Sequence, residues 1–119
     1  MGKNLFDTNR LIDFYKAKQK DIKGFTTILN IIEYPKSIDY FPNIKIIYPS
    51  LKDYETAISL SKELYAIGKN IPAIDILIAS ISYNLNLTII SQDKHFDYVK
   101  EVWDDFKLSQ EYSPTSKTE

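Results

Sequence analysis

Short apolar segments alternate with longer amphipathic segments along this chain, and the alternation limits the folds that it can adopt. KNLF (3–6), IKIIYP (44–49) and LTIIS (87–91) have the length of strands, and the last two are rich in β-branched residues. Segments with the apolar spacing of helices fill the intervals between them. The order strand, helices, strand, helices, strand, helix predicts an α/β protein, a three-layer α/β/α fold with a mainly parallel central sheet.

Five segments have helical spacing: residues 11–20, 25–34, 51–70, 73–86 and 92–102. In the second of them, Thr26 or Thr27 is expected to be the N-cap, and Pro35 to end the helix. In the third, which begins after Ser50, one side carries Leu51, Tyr54, Ile58 and Tyr65 among its apolar residues. The aromatic residues Tyr54 and Tyr65, like Phe14 of the first helix, are predicted to pack in the core or at a dimer interface.

The bulk composition is that of one soluble domain. We expect residues 1–108 to form it and residues 109–119 to be a polar, disordered tail. A net charge of -1 restricts nucleic-acid binding to a local patch, and the absence of cysteine excludes disulfides and thiolate metal sites. Because there is no signal-peptide pattern and no apolar run near the ~18 residues of a membrane span, a cytoplasmic location without membrane contact is expected.

Four acidic residues stand at positions that require an explanation. Asp75 interrupts the apolar helix IPAIDILIAS, where a buried charge without a partner is costly. Asp7 follows the first strand directly and Asp93 follows LTIIS by one residue, so a parallel sheet would place both at the same edge. Glu33 lies near the end of the second helix, flanked by isoleucines rather than by other charges.

Each acid also has an ordinary structural explanation. Asp7 and Asp93 could cap helices, Asp75 could be a first-turn acid favoured by the helix dipole, and Glu33 could be a surface residue. Taken together, however, four acids in one cleft without cationic partners would repel one another unless a divalent cation neutralised them. Oxygen ligands on short side chains suit Mg²⁺ or Mn²⁺.

The chain also resembles a known family. The segments FDTNRLIDF, TTILNIIEYPK, IPAIDILIAS and TIISQDKHFDYV, in this order, resemble the PIN-domain ribonucleases, most closely the VapC-type toxins of toxin–antitoxin pairs. The resemblance implies four catalytic acids, of which the three aspartates hold Mg²⁺ or Mn²⁺: Asp7, Glu33, Asp75 and Asp93. It also implies a metal-dependent endoribonuclease that hydrolyses RNA phosphodiesters, with an RNA substrate, a cognate antitoxin and a homodimeric assembly.

Further residues near these motifs receive roles from the same resemblance. Supporting roles beside the acids fall to Thr8, Asn9, Ser91 and Asp97. Substrate phosphates would be held by Arg10 and Lys94, although Lys94 could equally be a solvated surface residue. His95, the one histidine of the chain, is expected to contribute local packing.

Two other functions fit parts of the pattern. A PIN scaffold without catalytic activity would serve binding alone, and the retained acids speak against it. A receiver-type signalling domain also gathers acids around Mg²⁺ at a sheet edge. It needs an acceptor aspartate at the end of a central strand, and IKIIYPS offers none.

Overall fold

A computed structural model describes residues 3–111, in which parallel strands form one sheet with helices on both faces. The elements are β1 (Asn4–Phe6), α1 (Thr8–Lys16), β2 (Gly24–Thr27), α2 (Ile28–Glu33), β3 (Ile44–Ile47), α3 (Leu51–Ala66), α4 (Ala73–Asn84), β4 (Thr88–Ile90), α5 (Lys94–Val102) and β5 (Leu108–Ser109). A short 3₁₀ turn, Pro35–Ser37, follows α2. No helix among the described residues is long and apolar enough to cross a membrane.

The strand order determines where a ligand can bind. The five strands lie in the order β3-β2-β1-β4-β5, and every pair is parallel. From β1 the chain builds the sheet outward through β2 and β3, and then returns to place β4 on the other side of β1. Where the chain leaves two adjacent parallel strands toward opposite sides of the sheet, a crevice opens at the carboxyl ends of those strands. That crevice lies beyond the ends of β1 and β4.

Both faces of the sheet are buried, as the three-layer prediction requires. Leu5 and Ile89 pack in a core with residues of α3, α4 and α5. Their chain neighbours Phe6 and Ile90 point to the opposite face and pack in a second core with α1. Because successive side chains of a strand alternate between faces, this division shows that helices cover both sides of the sheet. The predicted α/β fold with a parallel central sheet is confirmed.

The predicted helix over residues 25–34 is partly wrong. Residues 24–27 are strand β2, and the helix begins only at Ile28. Thr27 is the last residue of the strand and also the N-cap of α2; it is one of the two residues expected to cap this helix. As predicted, the helix ends before Pro35, at Glu33. Gly24 is needed where β2 begins, since a Cβ there would lie 2.7 Å from the Phe6 ring at a φ of +149°.

The far end of the chain extends the sheet beyond the predicted elements. β5, which was not predicted, pairs with β4, and its second residue, Ser109, is the first residue of the predicted tail. Residues 112–119 of that tail lie outside the described residues. The boundary between domain and tail therefore remains a prediction.

The apolar side of α3 does not enter the core. Leu60 and Leu64 are buried there, whereas Leu51 is 83% exposed, Tyr65 68%, Ile58 60% and Tyr54 51%. The expectation of core packing is wrong for Tyr54 and Tyr65, for which the alternative of a dimer interface stays open, whereas Phe14 is buried in the core as expected. A groove of about 330 Å³ runs between α3 and α4 beside Tyr54 and Ile58.

Candidate active site

The four predicted acids come from four elements that converge near the ends of β1 and β4. Asp7 follows β1, Asp93 follows β4 by two residues, Asp75 lies in the first turn of α4, and Glu33 is the last residue of α2. The charges of Asp93 and Glu33 act on Asp7, and those of Asp93 and Asp7 act on Asp75. We call this group of four carboxylates the acidic site.

Asp7 is held in one orientation by two side chains. It is 6% exposed, and its Oδ2 accepts a hydrogen bond of 2.8 Å from the Ser91 hydroxyl. Its Oδ1 accepts a longer one of 3.3 Å from Asn30 Nδ2. Although Asp7 occupies the N-cap position of α1, it makes no side-chain capping hydrogen bond. Simple helix capping therefore does not explain this residue.

Ser91 connects the two acids that follow the central strands. While its hydroxyl donates to Asp7, the same oxygen accepts a 3.0 Å hydrogen bond from the backbone amide of Asp93. Asp93 in turn accepts one from the amide of His95 and so caps α5. The capping explanation is correct for Asp93, and the residue faces the acidic site as well.

Asn30 is a buried residue of this site that the sequence analysis missed. Its side chain is fully buried, and Nδ2 donates to Asp7 and, at 2.9 Å, to the hydroxyl of Thr8. Its Oδ1 accepts 2.7 Å and 3.2 Å hydrogen bonds from the hydroxyl and amide of Thr27. The spacing Thr27-x-x-Asn30 is that of a capping box, and this was the available signal.

Glu33 is connected to Asp7 through the same network. Thr8, which accepts from Asn30, donates a 2.5 Å hydrogen bond to Glu33 Oε1. Glu33 is itself exposed, so solvent reaches its carboxylate. Thr8 thus lies where the sequence predicted a supporting residue, between two acids of the site.

The sequence predicts only local packing for His95, but its ring also contacts two acids of the site. Its Nδ1 lies 2.7 Å from Asp75 Oδ2 and 3.4 Å from Asp93 Oδ1. Within residues 3–111, it is the one basic residue within ion-pair distance of the acidic site. Asp75 lies 20 residues away from His95 in sequence, and the fold brings it to His95 from α4.

The remaining predicted residues lie around this centre without bonding to it. Asn9 is exposed and Asp97 is half-buried, and neither makes a side-chain hydrogen bond within residues 3–111. Arg10 pairs with Asp13 at 3.1 Å, and its buried Nε has no hydrogen-bond partner among the described residues. Lys94 is exposed at the first position of α5.

Burial and mutual repulsion disfavour the ionised form of two of the acids. Burial raises the pKa of Asp7, and the charges of Asp93 and Glu33 raise it further, against the hydrogen bond from Ser91. Burial likewise raises the pKa of Asp75, with the charges of Asp93 and Asp7 adding to the effect and the bond to His95 opposing it. The site therefore stores unfavourable electrostatic energy at neutral pH.

Replacing Asp75 with Asn should make the protein more stable at neutral pH in the presence of a chelator. A carboxyl whose folded-state pKa is raised above its unfolded value of 3.8 stabilises the fold fully below that value. This stabilisation is lost as the pH rises through the folded-state pKa. We expect the free energy of unfolding of Asp75→Asn to exceed that of wild type by about 1 kcal/mol near pH 7. Near pH 4 the two free energies of unfolding should be close to equal.

Urea unfolding of both proteins in EDTA across this pH range measures the difference. Asp39→Asn, which changes an exposed aspartate, is the matched control and should differ little from wild type at any pH. A variant less stable than wild type at neutral pH, or a difference independent of pH, would contradict the electrostatic cause.

The donor atoms of the site fit a divalent cation. Asp75, Asp93 and His95 each offer one ligand atom, and these atoms lie within 4.8 Å of one another. Asp7 adds a buried carboxylate whose charge is felt by Asp75. A cation would offset the repulsion that raises the pKa values of Asp7 and Asp75. The arrangement can therefore hold a metal ion.

Comparison with known proteins identifies similar folds but no close relatives. No family model matches the sequence, and no curated protein matches it. A chain from the structure of VapBC2 of Rickettsia felis bound to a DNA fragment from their promoter is 17% identical, with a TM-score of 0.68, covering 89% of this chain and 96% of that chain. A chain of VapBC-1 from nontypeable Haemophilus influenzae is 18% identical, with a TM-score of 0.69, covering 89% of this chain and 96% of that chain. A chain of FitAcB from Neisseria gonorrhoeae is 15% identical, with a TM-score of 0.63, covering 88% of this chain and 95% of that chain.

These matches extend over nearly the whole of both chains. The resemblance to the VapC-type PIN domain that the sequence indicated is thus confirmed at the level of the fold. Identities below one fifth do not carry an activity from those proteins to this one.

Proposed function

We propose that this protein is a metal-dependent endoribonuclease that hydrolyses RNA phosphodiesters and acts as the toxin of a type II toxin–antitoxin system. The observation that carries the proposal is the acidic site itself. Acids widely separated in sequence meet at the crevice of a parallel sheet, and Asn30, Thr8 and Ser91 hold two of them in fixed positions. A core that served only folding would avoid this repulsion.

Asp7, Asp75 and Asp93 are proposed to hold Mg²⁺ or Mn²⁺. When bound, the ion would lower the pKa of a coordinated water and stabilise the charge that develops on the phosphate oxygens. The hydrogen bonds from Ser91 and Asn30 keep both oxygens of Asp7 in place, so that little reorganisation is needed on binding. The raised pKa of Asp75 indicates that its charge is poorly compensated by the protein alone.

The other residues of the site are assigned supporting tasks in this proposal. Glu33 would orient a water, a role supported by its exposure to solvent and by its hydrogen bond from Thr8. Asn9 and Asp97 would support the site from its margin. Arg10 and Lys94, the basic residues beside Asp7 and Asp93, would contact phosphates of the RNA. Arg10 Nε is buried and has no hydrogen-bond partner among residues 3–111, so this donor is not satisfied within the described part of the chain.

The receiver-type alternative is disfavoured for a reason other than the one expected. The strand IKII is at the edge of the sheet, and the central strand β1 is followed directly by an aspartate, Asp7, so the argument from a missing acceptor is wrong. The strand order decides instead. Receiver domains have the order 2-1-3-4-5, whereas this sheet has 3-2-1-4-5.

The direct test is cleavage of labelled RNA by the purified protein with Mn²⁺ or Mg²⁺ and with EDTA. We expect fragments that carry 5′-phosphate and 3′-hydroxyl ends and that form only when a divalent cation is present. Cleavage that continues in EDTA, or fragments with cyclic phosphate ends, would exclude the proposed mechanism. Binding of RNA without cleavage under any of these conditions would favour the inactive scaffold.

We further propose that two copies of the chain associate through α3 and α4. Leu51, Tyr54, Ile58 and Tyr65 expose apolar surface on α3, and the groove beside α4 is lined by Ile74 as well. A contiguous apolar surface of this kind on a folded domain marks a site of association. A second copy would cover these side chains without requiring any other partner.

Replacing Ile58 with Glu should convert the dimer to a monomer. A carboxylate at the centre of the exposed surface would lose its hydration in the interface, which weakens association by several kcal/mol, or about a hundredfold or more in dissociation constant. Light scattering after size exclusion measures the mass. Lys52→Glu, at an exposed position on a different side of the same helix, is the control and should stay dimeric. A wild-type protein that is monomeric throughout would refute the dimer.

A cognate antitoxin is the second protein partner that we propose. The proteins of similar fold include a toxin–antitoxin complex from Klebsiella pneumoniae, whose chain is 18% identical with a TM-score of 0.61. The product of a reading frame adjacent to the gene should bind this protein and suppress its cleavage of RNA. A neighbour that neither binds nor inhibits would remove this part of the proposal.

A further inference from the structure

His95 presents its ring to two carboxylates of the acidic site. Nδ1 lies 2.7 Å from Asp75 Oδ2 and 3.4 Å from Asp93 Oδ1. The backbone amide of the same residue is hydrogen-bonded to Asp93 Oδ1 at 3.0 Å, which fixes the start of α5 beside the site. The side chain is 37% exposed, so the ring borders the crevice and is not part of the core.

The spacing of these atoms is that of adjacent ligands around one cation. Two donors at about 2.1 Å from a metal ion in octahedral geometry lie roughly 3 Å apart. The distances from Nδ1 to the two carboxylate oxygens, 2.7 Å and 3.4 Å, fall on either side of this value. Since all three ligand atoms lie within 4.8 Å of one another, they are close enough to surround one ion.

We propose that His95 Nδ1 is a direct ligand of the cation at the acidic site, and that this nitrogen makes the site select Mn²⁺ over Mg²⁺. The inference rests on the proposed metal site and adds a ligand that the set of acids lacks. Imidazole nitrogen is a good ligand for transition metals, whereas Mg²⁺ prefers oxygen. The alternative role for His95 is a hydrogen bond that only orients Asp75.

Pulsed electron paramagnetic resonance on the Mn²⁺-loaded protein separates these two roles. His95 is the one histidine of the chain, so labelling with ¹⁵N-histidine marks a single residue, provided that any purification tag has been removed. Direct ligation predicts a nitrogen coupling to bound Mn²⁺ that changes from the ¹⁴N to the ¹⁵N pattern on labelling. Bound Mn²⁺ without this coupling would overturn the proposal.

Calorimetric titration of His95→Gln with each metal tests the selectivity. The affinity for Mn²⁺ should fall about tenfold or more, as for other losses at a metal site, while that for Mg²⁺ should change by less than about twofold. Glu101→Gln removes a carboxylate from an exposed position of the same helix and should bind both metals as wild type does. Equal losses for the two metals, or no loss for either, would overturn the selectivity.

The titrations also distinguish failure of this inference from failure of the proposed function. In one outcome, wild type binds Mn²⁺, Asp75→Asn weakens this binding, and no coupling to the histidine nitrogen is seen. That outcome would support the acidic site as a metal site and exclude only His95 as a ligand. Absence of Mn²⁺ binding to wild type would overturn both the ligand assignment and the metal site on which it rests.

Discussion

Replacing Asp7 with Asn is expected to reduce RNA cleavage by about a thousandfold or more while leaving the protein folded. Asp7 is the most buried of the four acids and, among residues 3–111, the one proposed metal ligand that accepts hydrogen bonds from two side chains. The substitution removes the negative charge that would hold the cation. A loss of several kcal/mol of transition-state stabilisation corresponds to a rate reduction of that size.

The same substitution should leave the protein folded, because most of the neighbouring hydrogen bonds can be kept. The amide oxygen of an asparagine can accept from Asn30, and its nitrogen can donate to the Ser91 hydroxyl, whose own hydrogen then loses the acceptor that Asp7 provides. Since the pKa of Asp7 is raised by burial and by its acidic neighbours, removing the charge relieves repulsion at neutral pH. This relief opposes the cost of the lost Ser91 donation, so the free energy of unfolding in EDTA should stay close to that of wild type.

Cleavage rates at saturating Mn²⁺, measured beside urea unfolding in EDTA, test both halves of this prediction. Asp21→Asn, at an exposed position away from the site, is the control and should cleave RNA at the wild-type rate. Asp7→Asn that retains full activity would rule out its catalytic assignment. A variant that is inactive because it no longer folds would show that Asp7 is needed for structure.

Replacing Asn30 with Asp is expected to destabilise the protein by about 2 to 4 kcal/mol at neutral pH. The change keeps the side chain's shape and the oxygen that accepts from Thr27. It removes the Nδ2 donors to Asp7 and Thr8, and places a second fully buried carboxylate where Nδ2 now lies 3.3 Å from Asp7 Oδ1. An unpaired buried charge beside a like charge is the costly element of this variant.

Because the new carboxyl would have a raised pKa, its penalty should shrink as the pH falls through that value. Urea unfolding near pH 7 and near pH 4 measures this dependence. Asn43→Asp makes the same chemical change at an exposed position and should leave stability nearly unchanged at both pH values. A loss for Asn30→Asp below about 0.5 kcal/mol at neutral pH would refute the role assigned to Asn30.

The alternation of strands and helices was readable from the sequence, whereas two short strands were not. β2 is followed by α2 without a loop, since Thr27 ends the strand and caps the helix, and the apolar spacing runs through both elements. β5 contains only Leu108 and Ser109 and owes its existence to pairing with β4. Pairing between distant strands leaves no local signal in so short a segment.

For the site, sequence indicated the acids and missed the residues that position them. Aspartates that follow strands are conspicuous because a parallel sheet brings strand ends together. Asn30 looked like one more polar residue of an amphipathic helix, and His95 like an isolated histidine. Their roles arise from contacts with Asp7 and Asp75, which lie 23 and 20 residues away in sequence.

The most direct measurement is a calorimetric titration of the purified protein with Mn²⁺, run beside Asp7→Asn and Asp75→Asn after circular dichroism has confirmed that both variants fold. We predict that wild type binds Mn²⁺ and that each substitution weakens binding by about tenfold or more, because the two carboxylates serve one ion. Absence of binding to wild type, or binding that neither substitution changes, would contradict a metal site built from these acids.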